Sequence, residues 1–342
     1  MLRIFGSNPK GKHLERLKQS VNYKERGFNN LSVTPVTAKD SSYIKMARDY
    51  FNRSKNTAPP FVLPSVKTDL KNIQSAEPMI VWFGHSSYFI RINNKTFLID
   101  PVFSGNASPF SFMVKSFAGS DIYTPGDFPD IDFLIITHDH YDHMDYKTIL
   151  QLQPRVGKVY CSLGVGSHLA FWGFAENKIT EMDWWQTKNI DAEMSLTAAP
   201  GRHFSGRGIE RGKTLWSSFI LKTNGYNLFL GGDSGYDEHF KEIGKKFGPF
   251  DIAILESGQY NTSWPYIHMM PEETVQATVD LNAKVLLPVH WSKFTLALHE
   301  WNDPVKRVLK KASELNVKVT TPMIGEPVII NVSYPDKHWW NG

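Results

Sequence analysis

The hydrophobic pattern is densest from Pro78 onward, where short apolar runs alternate with polar turns. Met79–Phe83, Ser87–Ile92 and Thr96–Ile99 read as strands, the last two joined by a turn at Asn93-Asn94. Tyr146–Leu152 reads as a helix capped by Asp145 and stopped by Pro154. Leu215–Leu221 and Asn227–Leu230 form a second hairpin pattern around Asn224-Gly225. Helix is expected over Tyr236–Phe247, Pro271–Leu281 and Pro304–Leu315, and strand over Asp251–Leu255, Lys284–Val289, Val317–Thr320 and Pro327–Val332. Two strand-rich halves, each followed by helices, predict an α/β fold: a four-layer αββα sandwich with sheets inside and helices outside. No internal repeat or low-complexity tract is evident.

Residues 1–77 break this pattern and read as a basic amino-terminal extension and linker, leaving 78–342 as the compact domain. Residues 1–40 are polar with little periodicity. Tyr43, Met46, Ala47, Tyr50 and Phe51 recur at helical spacing and predict a short amphipathic helix whose stripe packs on the body. Pro59-Pro60-Phe61-Val62-Leu63-Pro64 is an extended linker, because proline excludes regular helix there.

Composition adds boundaries. The 342 residues are 41% hydrophobic, enough for a sizeable core, yet no apolar run is long enough to span a bilayer. Met1–Ser20 carries charges throughout and lacks the apolar region of a secretion signal. Cys161 is the only cysteine, which excludes an intrachain disulfide, argues against thiolate metal sites, and makes the cytoplasm the expected compartment. The net charge of +4 conceals an asymmetry: residues 1–75 carry 14 Lys/Arg and 5 Asp/Glu. A basic extension on a mildly acidic body can meet an anionic lipid surface, so peripheral membrane contact is a second expectation; a solvated face is the plainer one.

The chemistry concentrates in His138-Asp139-His140-Tyr141-Asp142-His143, directly after the apolar run Phe133-Leu134-Ile135-Ile136. His138 and His140 sit two apart, so an extended segment projects both to one side. Asp142 and His143 follow where the chain turns toward the next helix and can face a second point nearby. Imidazoles and carboxylates without thiolate suit a pair of borderline cations, zinc first, with iron or manganese as alternatives. Further ligands are expected at later strand ends. His203 follows Met194–Ala199, Asp233 follows Tyr226–Leu230 among glycines that permit close backbone approach, and His290 follows Val285–Val289.

These residues, together with the strand-ending Asp100, resemble the metallo-β-lactamase fold superfamily. Within it the chain is most similar to N-acylphosphatidylethanolamine-hydrolysing phospholipase D and its bacterial relatives. The similar stretches include Trp82-Phe83-Gly84-His85-Ser86, Leu98–Phe103, His138–Asp145, Asp183-Trp184-Trp185, Gly232–Tyr236, Gly248–Asp251, His268–Glu273 and His290-Trp291. The resemblance implies that His138, His140 and His203 hold one metal, that Asp142, His143 and His290 hold the other, and that Asp233 bridges both. Asp100 would orient the ligands, and His85 would assist or be a buried structural histidine. Tyr141 and His268 match positions bordering the substrate phosphate, and the resemblance implies catalytic roles for Asp142, Asp233 and His268. Asp139 departs from the lipase pattern, which has an uncharged amide there, and places extra negative charge beside the site.

The activity so implied is zinc-dependent phosphodiester hydrolysis of phospholipase D type, releasing N-acylethanolamine and phosphatidic acid from N-acylphosphatidylethanolamine-like phospholipids. Pro109-Phe110-Ser111-Phe112-Met113 and Trp264-Pro265-Tyr266 are candidate apolar walls for acyl chains, with core or dimer contact as the plainer use. A sugar-phosphate lactonase would use the same metals in a narrow basic pocket. A non-catalytic metal-binding scaffold is the alternative of another class. No nucleic-acid partner is expected, because the positive charge collects in the extension rather than beside the site.

Overall fold

The computed structural model describes residues 3–38, 43–73 and 75–342. The amino-terminal segment contributes α1 (Gly11–Leu17), a small hairpin of β1 (Tyr23–Lys24) and β2 (Gly27–Phe28), and α2 (Tyr43–Phe51). The first two pieces lie where only irregular chain was expected. Sparse apolar spacing hid them: of their apolar residues Leu17 and Phe28 are buried, in a cluster with Trp184, Leu215 and Trp216, while His13 and Arg16 reach Glu181 and Asn22 reaches Asp183. The helix over 43–51 forms as expected, but its stripe does not pack throughout. Ala47, Tyr50 and Phe51 are exposed, and Tyr43's side chain lies outside the described residues.

Two seven-stranded sheets follow. The first contains β3 (Met79–Trp82), β4 (Tyr88–Ile92), β5 (Lys95–Ile99), β6 (Ile131–Ile136), β7 (Val156–Ser162) and β8 (Ile179–Met182). The second contains β9 (Thr187–Asn189), β10 (Ser195–Pro200), β11 (Ser217–Lys222), β12 (Asn227–Leu230), β13 (Ile252–Glu256), β14 (Val285–Val289) and β15 (Lys318–Val319). The last strand, β16 (Pro327–Ile329), returns to the first sheet and pairs with β3, giving the orders β16-β3-β4-β5-β6-β7-β8 and β15-β14-β13-β12-β11-β10-β9. Each sheet has three antiparallel pairings followed by three parallel ones. One architectural pattern therefore occurs twice without a visible sequence repeat.

The period-two alternation of side chains builds the layers. On β3, Ile80 and Trp82 enter the core between the sheets, where they meet Leu196, Phe219, Ile254 and Leu287. Met79 and Val81 face outward under α3 (Tyr146–Leu152) and α4 (Gly166–Phe171), represented by Ile149 and Leu169. The second sheet is covered on its outer face by α5 (His239–Phe247), α6 (Pro271–Asp280) and α7 (Asp303–Leu315), through Phe240, Val275 and Val308. The αββα sandwich is thus what the pattern predicts. Among the described residues no helix is long and apolar enough to cross a membrane.

Asp145 caps α3 by accepting a hydrogen bond from the Lys147 amide. The helix expected from Tyr236 begins only at His239, because the preceding residues are drawn into the loop after β12. Strands β7, β8 and β9 and helix α4 had no counterpart in the sequence reading. Val156-Gly157-Lys158 interrupts the apolar run of β7, and α4 has only six residues.

Candidate metal centre

Three strand ends of the second sheet and two of the first meet at one edge of the sandwich. His138 stands just beyond β6 and Asp100 just beyond β5, while His203, Asp233 and His290 follow β10, β12 and β14. Close approach of the sheets depends on Gly232, where a Cβ would sit 2.6 Å from the Ser217 carbonyl oxygen and 3.0 Å from Thr137 Cβ. That contact carries Asp233 across to the first sheet's loop.

Asp100 organises the histidines. Its Oδ1 accepts from the Thr137 amide (2.8 Å), and its Oδ2 accepts from Thr137 Oγ1 (2.6 Å) and His143 Nδ1 (2.8 Å). Having donated to Asp100, the Thr137 hydroxyl can accept from His138 Nδ1 at 3.0 Å. His203 Nδ1 donates to the Ile267 carbonyl at 2.8 Å. In His138 and His203 the outer nitrogen carries the proton, so Nε2 presents a bare lone pair, the arrangement that fits an imidazole to a metal. Burial opposes charge on His143, but Asp233, Asp142 and Asp100 outweigh it and raise its imidazole well above the ordinary value, so a metal ion would take the place of the Nε2 proton there.

The bare donors converge. One ligand atom from each of His138, His140, His203 and Asp233 lies within 4.8 Å of the others, and the same holds for His85, Asp142, His143 and His290. Asp233 touches both groups: Oδ2 is 3.2 Å from His143 Nε2, 3.7 Å from His203 Nε2 and 3.8 Å from His138 Nε2, and Oδ1 is 3.2 Å from His290 Nδ1. All seven residues singled out as ligands therefore meet. His85 comes nearer than an outlying role requires. Its Nε2 is 2.8 Å from Asp142 Oδ2, and its ring lies 4.0 Å from that of His290.

These groups fit divalent ions. His143 Nε2 and Asp233 Oδ1 are buried without a hydrogen-bond partner, a costly condition unless another ligand satisfies them. Burial raises the carboxyl pKa of Asp233, yet the imidazoles of His143, His268 and His203 outweigh it and hold the group well below the usual range. Asp142 behaves alike, its burial outweighed by His143 and His85. Burial pulls the His138, His203 and His290 imidazoles well below their ordinary value, which favours the neutral, ligating form. The backbone is strained here too: His85, Asp100 and His290 have φ of 52°, 43° and 67°. Left-handed non-glycine residues cost of order 1 kcal/mol each and cluster at functional sites.

One participant lay outside the sequence reading. Glu256 ends β13, is 1% exposed, and accepts from His268 Nδ1 at 2.9 Å. Its other oxygen accepts from the Ser234 and Met269 amides, each at 3.1 Å. The available signal was a carboxylate closing the apolar run Ile252-Ala253-Ile254-Leu255. Burial pushes the Glu256 carboxyl up to about 7. Burial alone would lower the His268 imidazole, but the adjacent Glu256 raises it to about 9.

The centre opens into a cavity of about 480 Å³ lined by His140, Asp142, His203, Asp233, His268 and His290 and by apolar or half-polar walls from Val36, Met46, Phe204, Gln259, Trp264, Ile267 and Leu296. Tyr141 is not among its lining residues; its hydroxyl donates to the Arg207 carbonyl and its ring lies under the Arg207 guanidinium. Phe110, Phe112 and Met113 are also absent from the lining and are exposed, on a loop closed by the Asn106–Lys115 bridge. Asp139 turns its carboxylate away from the cavity. It is fully buried, takes the Gly206 amide at 2.7 Å and stands 3.2 Å from His168 Nε2, so the extra charge is matched within the fold. That histidine had no expected role. Its other nitrogen accepts from the Ser7 amide at 3.0 Å, tying the amino-terminal segment to the ligand loop.

The family model for the Beta-lactamase superfamily domain matches residues 95–291. An uncharacterized protein of Mycobacterium tuberculosis is 34% identical over 328 residues, covering 94% of this chain and 88% of its own. N-acyl-phosphatidylethanolamine-hydrolyzing phospholipase D 1 of Caenorhabditis elegans is 29% identical over 256 residues, covering 68% of this chain and 70% of its own. Among solved structures, a metallo hydrolase from the archaeon Ignicoccus hospitalis shares the fold with a TM-score of 0.58 at 22% identity, over 75% of this chain and 100% of that one. By matched sequence, by fold and by the strand ends that carry its histidines, this chain belongs to the metallo-β-lactamase superfamily.

Proposed function

We propose that the chain hydrolyses phosphodiesters of N-acylated phospholipids in the manner of a phospholipase D, using two divalent ions, zinc first. The observation that carries this reading is Asp233, whose carboxylate lies against ligand groups on both sides in a cavity with apolar walls. His138, His140 and His203 would hold one ion, and Asp142, His143 and His290 the other, with Asp233 between them. Such a pair supplies an activated water and neutralises charge on the phosphoryl oxygens.

The chain's own residues do the rest. Glu256 fixes the His268 ring through Nδ1, which leaves Nε2 to donate to a phosphoryl oxygen or to the departing alcohol oxygen. Met46, Trp264 and Leu296 line both the metal cavity and an adjoining groove that also holds Tyr50, Ala297 and Leu298. This apolar continuation suits an acyl chain and favours a phospholipid over a sugar-phosphate lactone. Exposed Tyr50, Phe51, Phe110 and Phe112 are suited to peripheral contact with a lipid surface. The similarity to the C. elegans phospholipase supports the same substrate class.

The test is product analysis by mass spectrometry after incubating zinc-loaded protein with N-palmitoylphosphatidylethanolamine and, separately, with a sugar-phosphate lactone. Release of N-palmitoylethanolamine and phosphatidic acid is expected. Turnover of the lactone alone would refute the lipid assignment.

A further inference from the structure

Arg211 has no role in the centre as described. Its guanidinium lies 4.8 Å from the Phe204 ring centroid, and that ring lies 4.8 Å from the rings of both His140 and His203. One aromatic ring therefore separates this cation from two ligand imidazoles. Arg211 lines the metal cavity and also a neighbouring recess of about 500 Å³, which shares Val36, His203, Phe204 and Ile267 with it.

The recess is built for negative charge. Its lining contains Lys24 and Arg211, with Asn29, Asn30, Ser32 and Thr34 as polar neighbours, and no carboxylate. Among the described residues neither Lys24 nor Arg211 forms a hydrogen bond or ion pair through its side chain. Two acids border it in the adjoining recess: Glu210 accepts from Asn8 at 3.2 Å and stands 3.9 Å from Lys213, while Glu25 lines that recess beside Lys24 and Arg211 but not this one. Arg211 stays charged at any relevant pH and offers a planar fork of donors that matches a carboxylate or phosphate. Thr34 Oγ1 accepts from Arg202, which stiffens the far wall. Part of the basic excess of the amino-terminal segment is thus placed next to the metal cavity.

We propose that Arg211, assisted by Lys24, forms a second anion subsite that binds a negatively charged group of the substrate remote from the scissile bond. Among N-acylated phospholipids the preferred substrates are then those carrying an additional carboxylate or phosphate, ahead of N-palmitoylphosphatidylethanolamine, whose one anionic group is the scissile phosphodiester, with an apolar arm directed to the opposite groove. This rests on reading the cavity as the hydrolytic metal site.

The experiment uses binding, not turnover. Full-length protein, its zinc content measured first, is titrated calorimetrically with ethylphosphonate and with phosphonopropionate, phosphonobutyrate and phosphonohexanoate, which add a carboxylate at increasing distance. Wild type is expected to bind at least one carboxylated homologue about twofold to fivefold tighter than ethylphosphonate, the scale of an ion pair to an exposed cation. Arg211→Ala should abolish that preference without weakening ethylphosphonate, Arg211→Lys should keep part of it, and Lys24→Ala should reduce it. Equal binding of all four ligands, or a preference that survives Arg211→Ala, overturns the subsite while leaving the hydrolase reading standing. A loss shared by every ligand in Arg211→Ala overturns it too, since the cation would then be holding the metal-bound end. If the protein takes up neither zinc, iron nor manganese, the hydrolase reading fails and the subsite falls with it.

Discussion

Replacing Asp100 separates its two tasks, holding the fold and setting the ligand tautomers. In Asp100→Ala three buried donors lose their acceptor: the Thr137 amide, the Thr137 hydroxyl and His143 Nδ1. Each orphaned buried group costs about 1–3 kcal/mol, so after partial relaxation the loss should be about 3–5 kcal/mol, a fall of roughly 10 °C in Tm. Asp100→Asn keeps the shape and most of the stability but inverts a polarity. The carboxamide can still accept from the Thr137 amide, but its NH₂ replaces the oxygen that His143 Nδ1 and the Thr137 hydroxyl face. His143 then favours the tautomer with its proton on Nε2, the nitrogen directed at Asp233. Zinc affinity should fall about 10–100-fold while the apoprotein melts within a few degrees of wild type. Competition against a chromogenic chelator, alongside thermal melting of the metal-free protein, reads both quantities. Wild-type zinc affinity in Asp100→Asn would refute the tautomer argument.

Gly232→Ala forces a Cβ to within 2.6 Å of the Ser217 oxygen and should cost about 1–3 kcal/mol and weaken metal retention, measured by melting and metal analysis. Glu256→Gln removes the charge beside His268 and should lower kcat about tenfold or more with zinc content unchanged; loss of zinc instead would show that Glu256 acts through the ligands. Lys293 is buried, donating to the Phe83 and Val102 carbonyls, and burial lowers its pKa from 10.5 to about 8. The unfolded chain therefore holds more protons than the folded one between those values, so this group makes stability rise with pH from about 8 toward 10.5. Urea denaturation at pH 8 and pH 10 should show a smaller rise in Lys293→Met than in wild type.

The layered fold was legible because alternation along strands such as Met79–Trp82 separates the inter-sheet core from the outer face. The convergence of the candidate donors was legible because their segments stand just past apolar runs, where a strand must end. Glu256 escaped notice because a single acid at the end of a buried strand differs from a solvated strand end only through its tertiary partners, Ser234, Met269 and His268. The amino-terminal segment escaped for a related reason. Its order comes from contacts far along the chain, such as the Ser7 amide on His168 and the Asn30 side chain on the His203 backbone, which no local periodicity records. Tyr141 shows how little a motif position says of a side chain's partners, since it does not reveal that Arg207 engages both its hydroxyl and its ring.

Asp233 is the residue on which the proposed two-ion centre stands, and metal stoichiometry tests it most directly. Purified protein loaded with excess zinc and desalted should retain two ions per chain by mass spectrometric metal analysis, and Asp233→Ala should retain fewer than one while keeping a cooperative melt. A single ion in the wild type, or two ions held undiminished in Asp233→Ala, would contradict the account.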